Sequence, residues 1–218
     1  MTKPNMPLAL LASITVGLLF GGFGVGVALG GMMPLPYGSA TDIVAYVRTE
    51  PVAVQVMATA VFASSVALLI YVAAAATRLR RLGAAVPAVT VALTAGTLAA
   101  GALGLTALLG WTLSRPDITA DAVLARAIYL LVFLVGGPGH IVALGLLVGG
   151  MALPSLTLRL MPRPLAWTGL AIAALAETAT LVLAWPPLGV LLPIARVSAL
   201  FWLVAAGASL PRVNLDPV

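Results

Sequence analysis

Six stretches of the chain, at about residues 7–33, 52–77, 88–113, 122–153, 166–184 and 188–210, are nearly unbroken runs of apolar residues, with polar and basic residues gathered between them. A helix crossing a bilayer needs about 20 mainly apolar residues, so the pattern predicts an all-α, polytopic membrane protein. Its six spans form a single domain over residues 1–218. The first span stops at Pro34 and Pro36, the second runs into Arg78, Arg80 and Arg81, and the third lies between Pro87 and Ser114–Asp117. Only the corner Trp185-Pro186-Pro187 separates the last two spans, which predicts an antiparallel hairpin. Residues 34–50 read as an extracytoplasmic loop or as a helix lying in the interface, because Ser39 offers a helix start ahead of Ile43, Val44 and Val47. Although Gly26-Val27-Ala28 resembles a signal-peptide cleavage site, the apolar run around it is about twice the usual length, so the first span reads as uncleaved.

Composition agrees with this reading. Hydrophobic residues make up 62% of the 218 and charged ones 8%, against roughly 25% charged in soluble domains. The absence of cysteine removes disulfides, thiolate metal sites and thiol catalysis. The net charge of +5 would suggest nucleic acid in a soluble protein, but here it has a topological meaning. Lys3, Arg78, Arg80, Arg81, Arg159, Arg163 and Arg212 fall on one side of the predicted spans, Arg48, Arg115 and Arg126 on the other, and Arg196 inside the sixth. The positive-inside rule then predicts cytoplasmic N- and C-termini in a multi-pass protein of a bacterial cytoplasmic membrane.

Helices in lipid associate through small residues. Gly22, Gly26 and Gly30 lie on one face of the first span. Thr90, Thr94, Thr97, Gly101 and Gly104 form a stripe on the third, and Gly145 and Gly149 pair on the fourth. All these glycines are expected at helix–helix contacts. Residues 21–30 and 136–145 agree at seven of ten positions, which raises the prospect of a 3+3 inverted repeat of the kind found in secondary transporters. The run Gly136-Gly137-Pro138-Gly139 predicts a break in the fourth span, where freed carbonyls must face protein, water or a ligand.

Three ionisable residues fall inside the spans, namely His140, Glu177 and Arg196. Each costs about 2.5–3.5 kcal/mol near the bilayer centre on insertion scales. Counting along the last two spans puts Glu177 and Arg196 at matched depth, which predicts an ion pair. With His140, Gln55 and Thr180 they could line a polar site at the midplane. One histidine and no cysteine give no metal set, and no cofactor is expected. The chain carries no nucleophile elbow, HExxH or phosphate-binding loop. The remaining enzymatic idea is Glu177 as an acid that protonates a terpenoid alkene.

The segments running from Tyr71 through Thr77-Arg-Leu-Arg-Arg81, Leu160-Met-Pro-Arg-Pro-Leu-Ala-Trp167, and Leu191-Leu-Pro-Ile-Ala-Arg196 on to Trp202 set a layout. That layout resembles the six-helix integral-membrane proteins of unknown function common in actinobacteria. One lysine against ten arginines fits a high-GC genome. The resemblance implies the six-span fold and assigns no activity to any residue. Three functions follow from the residues. The chain could bind or transport a small molecule, lipid or ion at the polar site. It could be a non-catalytic subunit or scaffold that self-associates or joins a larger membrane complex. It could be an intramembrane enzyme acting on a hydrophobic substrate. Membrane lipids and a hydrophobic small molecule are the expected partners, and nucleic acid is not.

Overall fold

Residues 7–34 and 38–211 are described by a computed structural model, and all their regular structure is helical. Lys3 and Arg212, used above for orientation, lie outside these residues. Six helical runs are long and apolar enough to cross a membrane: Leu8–Gly30, Pro51–Arg81, Val86–Thr112, Ala122–Thr157, Arg163–Leu183 and Pro186–Ser209. The first three are the continuous helices α1 (Leu8–Gly30), α3 (Pro51–Arg81) and α4 (Val86–Thr112). The fourth consists of α6 (Ala122–Leu134) and α7 (His140–Thr157) joined through Val135–Gly139. The fifth is α8 (Arg163–Glu177) continued by a 3₁₀ segment, Thr178–Leu183. The sixth opens as a 3₁₀ turn, Pro186–Val190, and continues as α9 (Leu191–Ser209).

Each span packs on its neighbour in sequence, and α9 returns to α1, so the six close into a ring. Small residues set the contacts. A Cβ on Gly22 would stand 2.2 Å from the Ala60 Cβ, one on Gly26 would meet Met57, and one on Gly30 would meet Ala53 and Glu50. The stripe of α1 therefore seats on α3. Gly145 and Gly149 face Ala176 and Ala173 of α8, while Gly104 faces Ser65 of α3. Gly101 differs from the expectation: it points outward with nothing near it, and Thr90, Thr94 and Thr97 are exposed and donate to their own helix carbonyls. The face of α4 that packs runs instead through Val89, Ala92, Gly96, Ala99, Leu103 and Ala107. A 3.6-residue helix buries that alanine-rich face, and Gly104 reaches its edge only by the drift of the threonine stripe.

The end of the ring bearing Arg78, Arg80, Arg81 and Arg163 is here termed the basic end. It holds one large core of Leu8, Tyr71, Leu79, Met151, Trp202 and their neighbours. At this end Arg159 adopts φ 55° just past α7, with Leu160 N–H donating to Ser155 O. This is a left-handed helix stop at a position that glycine would occupy without strain.

The opposite end carries the short helix α2 (Ala40–Thr49), so residues 34–50 contain a helix across the ends of the spans. Ser39 caps it by accepting from Thr41 N–H, and Ile43, Val44 and Val47 turn inward against Val54, Leu113 and Tyr129. Arg48 fastens it by donating to Thr119 O at 2.7 Å and Ala120 O at 2.9 Å, at the end of the four-residue helix α5 (Pro116–Thr119). Tyr46 donates to Gly31 O and Tyr129 to Pro34 O. Burial, and secondarily the Glu50 carboxylate, raise the Tyr46 phenol above its ordinary pKa of 10.0.

Candidate functional site

The fourth span is not severed at Gly136–Gly139. Val135–Gly139 forms one turn of π-helix, and the residues flanking it keep right-handed helical torsions. Widening the turn accommodates Pro138, whose ring and missing N–H would otherwise disrupt an α-helix. The hydrogen bonds change with it. His140 N–H donates to Val135 O and Gly137 O, so Gly136 O is released from its α-helical partner. Arg196 of α9 donates from Nη2 to that freed carbonyl. Gly136 has no side chain for a second reason: its Cβ would fall 2.7 Å from Thr106 of α4.

His140 begins α7, one turn beyond Gly136, and is fully buried. Its Nδ1 lies 2.9 Å from Ala99 O on α4. A carbonyl can only accept, so Nδ1 carries the hydrogen and the neutral ring presents a bare lone pair at Nε2. That Nε2 is buried and unpartnered. So is Arg196 Nε, although the guanidinium has anchored Nη2. Buried polar atoms are nearly always hydrogen-bonded, and orphaned ones call for an explanation.

Glu177 and Arg196 form no ion pair, contrary to the depth argument. The ion pair among the described residues joins Arg115 and Asp117 at 3.9 Å on the surface, where Arg115 also lies over Trp111. Glu177 Oε1 is buried and unpartnered, 3.1 Å from the position a Gly145 Cβ would take. The Arg196 guanidinium sits instead at Gly136, nine residues earlier on the same span, or about 13 Å along its axis at 1.5 Å per residue. Two effects separate them. Side chains lean toward the N-terminus of their own helix. In an antiparallel pair Glu177 therefore reaches toward the basic end and Arg196 toward the capped end. In addition, Thr178–Leu183 is 3₁₀ rather than α. It rises about 2.0 Å per residue instead of 1.5 Å, which sets Glu177 about 3 Å deeper than an α-helical count.

Gln55 and Thr180 do not join the group. Both are exposed on the outer face of their helices, and the Gln55 carbonyl accepts from Thr59 of the next turn. The structure thus gathers Arg196, His140 and the Gly136 carbonyl at the π turn, with Gly137 packed against Leu192 and Phe133 beside them. Glu177 stands apart, in an apolar setting of Ala176 and Ala173.

Sequence reasoning missed four packing glycines. Gly150 lies against the Ala92 backbone, Gly96 against Val72, Gly169 against Trp202 and Gly207 against the Leu8–Ala9 backbone. For Gly96 a signal was present, because it falls on the alanine stripe of α4. Also missed were the backbone acceptors of three aromatic residues packed between elements. Tyr71 donates to Leu203 O at 3.1 Å, Trp202 Nε1 to Leu165 O at 2.8 Å, and Tyr129 to Pro34 O.

Compared with known proteins, the chain matches no family model, and neither a curated protein nor a solved structure matches it.

Proposed function

We propose that this integral membrane protein binds, and in moving it across the bilayer transports, a small ligand at the polar site on the π turn. The ends bearing Arg78, Arg80, Arg81 and Arg163 would lie in the cytoplasm of a bacterium. One observation carries the proposal. Arg196 holds a guanidinium within the span with no carboxylate partner among the described residues, and its buried Nε and His140 Nε2 have no hydrogen-bond partner there. An arginine stays charged in proteins, and an intramembrane charge is retained chiefly where it meets a substrate, an ion or a relay. A brace between helices would instead saturate its donors on protein groups, as the aromatic residues of the basic end do.

Native mass spectrometry of the full chain, extracted in mild detergent, tests the reading. Wild type is expected to retain a bound small molecule, and both Arg196→Gln and His140→Phe are expected to lose it while eluting as folded protein at the wild-type volume on size exclusion. A wild-type protein that carries no ligand and shows no thermal shift with any added lipid or small molecule would overturn the proposal.

The unpaired Glu177 favours a second reading, an acid acting on a hydrophobic substrate, since no arginine neutralises its carboxylate. Conversion of a polyisoprenoid by wild type and not by Glu177→Gln would support it. Equal turnover by the two proteins would remove it.

A further inference from the structure

The partnerless groups at the π turn also specify the chemistry of what they would hold. Arg196 offers an unused N–H donor on a fixed positive charge, so its complement is an oxygen acceptor bearing negative charge. His140 offers the opposite function. Its Nδ1 hydrogen is committed to Ala99 O, so Nε2 can only accept, and its complement is a hydroxyl or N–H donor. Arg196 Nη2 is bonded at Gly136 and His140 follows one turn later, so the two demands arise on neighbouring turns of one span. One small head group can meet both.

We infer that the site recognises an oxyanion that also carries a hydroxyl donor, the monoanion of a phosphoric-acid-type head group, with its charged oxygen on Arg196 Nε and its hydroxyl on His140 Nε2. The inference rests on the reading that this site binds a ligand. Arg196 is only partly buried, and its neighbours Ile194 and Val197 are exposed on the outer face of α9, the face that meets acyl chains in a bilayer. Leu192, Phe133 and Gly137 close the other side with apolar groups. Because Arg196 Nε and His140 Nε2 are themselves buried, a head group reaches them by displacing side chains on this lipid-facing side, which leaves its tails in lipid. Free phosphate shares the same head-group chemistry and is distinguished by experiment.

The test uses the full chain in detergent and reads thermal unfolding against added dioleoyl phosphatidic acid, dioleoylglycerol, dioleoyl phosphatidylcholine and inorganic phosphate. Phosphatidic acid has both the charge and the hydroxyl, the diacylglycerol has no charge, and the phosphatidylcholine phosphate has no hydroxyl. Saturable stabilisation by phosphatidic acid, at least tenfold tighter than by either other lipid, is expected, with a loss of tenfold or more in Arg196→Gln and in His140→Phe. Stabilisation by inorganic phosphate at comparable concentration would support the same chemistry and identify a free oxyanion as its source. Equal responses to phosphatidic acid and diacylglycerol, or a response unchanged in Arg196→Gln, would overturn the inference. If Arg196→Gln does not fold, Arg196→Lys replaces it: it keeps a charge without the Nε–H, and undiminished affinity would again count as refutation. A neutral molecule held by wild type and released by His140→Phe would discard the oxyanion class while leaving the ligand-site reading intact. With no ligand of any kind, both fall together.

Discussion

The core around Tyr71 and the zone around the π turn lie in the same ring of helices, yet they treat buried polar groups in opposite ways. Near the basic end the Tyr71 hydroxyl meets both Leu203 O and Met151 Sδ, Trp202 donates to Leu165 O, and Ser155 bonds within its own helix. The partners of Tyr71 and Trp202 are backbone or sulfur atoms of neighbouring spans, so those hydrogen bonds tie elements together. Around the π turn, His140 Nε2 and Arg196 Nε are left over, and farther along the span so is Glu177 Oε1 beside Gly145. The apolar packing divides as well. One large cluster runs from the basic end along the bundle as far as Leu103 and Ala107 of α4, whereas α2 heads a second cluster at the capped end and the α7–α8–α9 contacts form a third. Polar groups are thus satisfied around Tyr71, while the π turn retains unspent polar capacity.

The comparison can be broken in a defined order. Gly150→Val drives a side chain into the Ala92 backbone, which lies 2.9–3.0 Å from the Cβ position, and should abolish the folded monomer on size exclusion. Gly101→Ala, on the open face of α4, should leave the elution unchanged. Next, Tyr71→Phe should cost about 1 kcal/mol in denaturant unfolding, because it removes a buried hydrogen bond that joins α3 to Leu203 O of α9. Arg196→Met removes a guanidinium that has no carboxylate partner among the described residues, but leaves the Gly136 carbonyl without its donor. The two effects oppose, so stability by the same assay is expected to change by less than about 1 kcal/mol, and a fall of about 3 kcal/mol or more would make Arg196 a brace like Tyr71. In a double-mutant cycle, Glu177→Gln and Arg196→Met should add within about 0.5 kcal/mol, since the two side chains do not meet. Coupling above about 1 kcal/mol would restore the ion pair.

The smallest effect belongs to α2. The Tyr46 phenol is raised above 10.0, so the folded state holds that proton more tightly than the unfolded one. Its contribution is complete below pH 10.0 and is lost as the pH rises through the higher native value. Limited proteolysis should therefore cut near α2 sooner at alkaline pH than at neutrality, and Tyr46→Phe should flatten that dependence.

The spans were legible because hydrocarbon imposes a long apolar run on every helix, and the predicted boundaries fall within a few residues of those observed. The stripe Gly22, Gly26 and Gly30 was legible for a related reason, since steps of four keep small residues on one face. Gly101 was not, because its threonine neighbours occupy lipid by bonding to their own helix carbonyls and need no partner helix. Glu177 and Arg196 show a different limit. Counting residues places Cα atoms, but long side chains on antiparallel helices lean away from each other, and a change from α to 3₁₀ rise shifts the count. Gly136–Pro138–Gly139 announced an irregularity without saying which one. A π turn and a severed helix need the same residues, and the choice depends on whether a neighbour, here Arg196, can take the freed carbonyl.

The contact of Gly207 with the backbone of Leu8 and Ala9, together with the stacking of Phe20 on Phe201 at 6.3 Å, has a consequence for biogenesis. Made before α9, α1 finds one of its two neighbours only when that later helix follows. Until then the flanks of α1 and α8 that α9 covers face lipid, and Arg196 has not yet reached Gly136. α9 is therefore the keystone of assembly, closing the ring and delivering its buried charge in one insertion step.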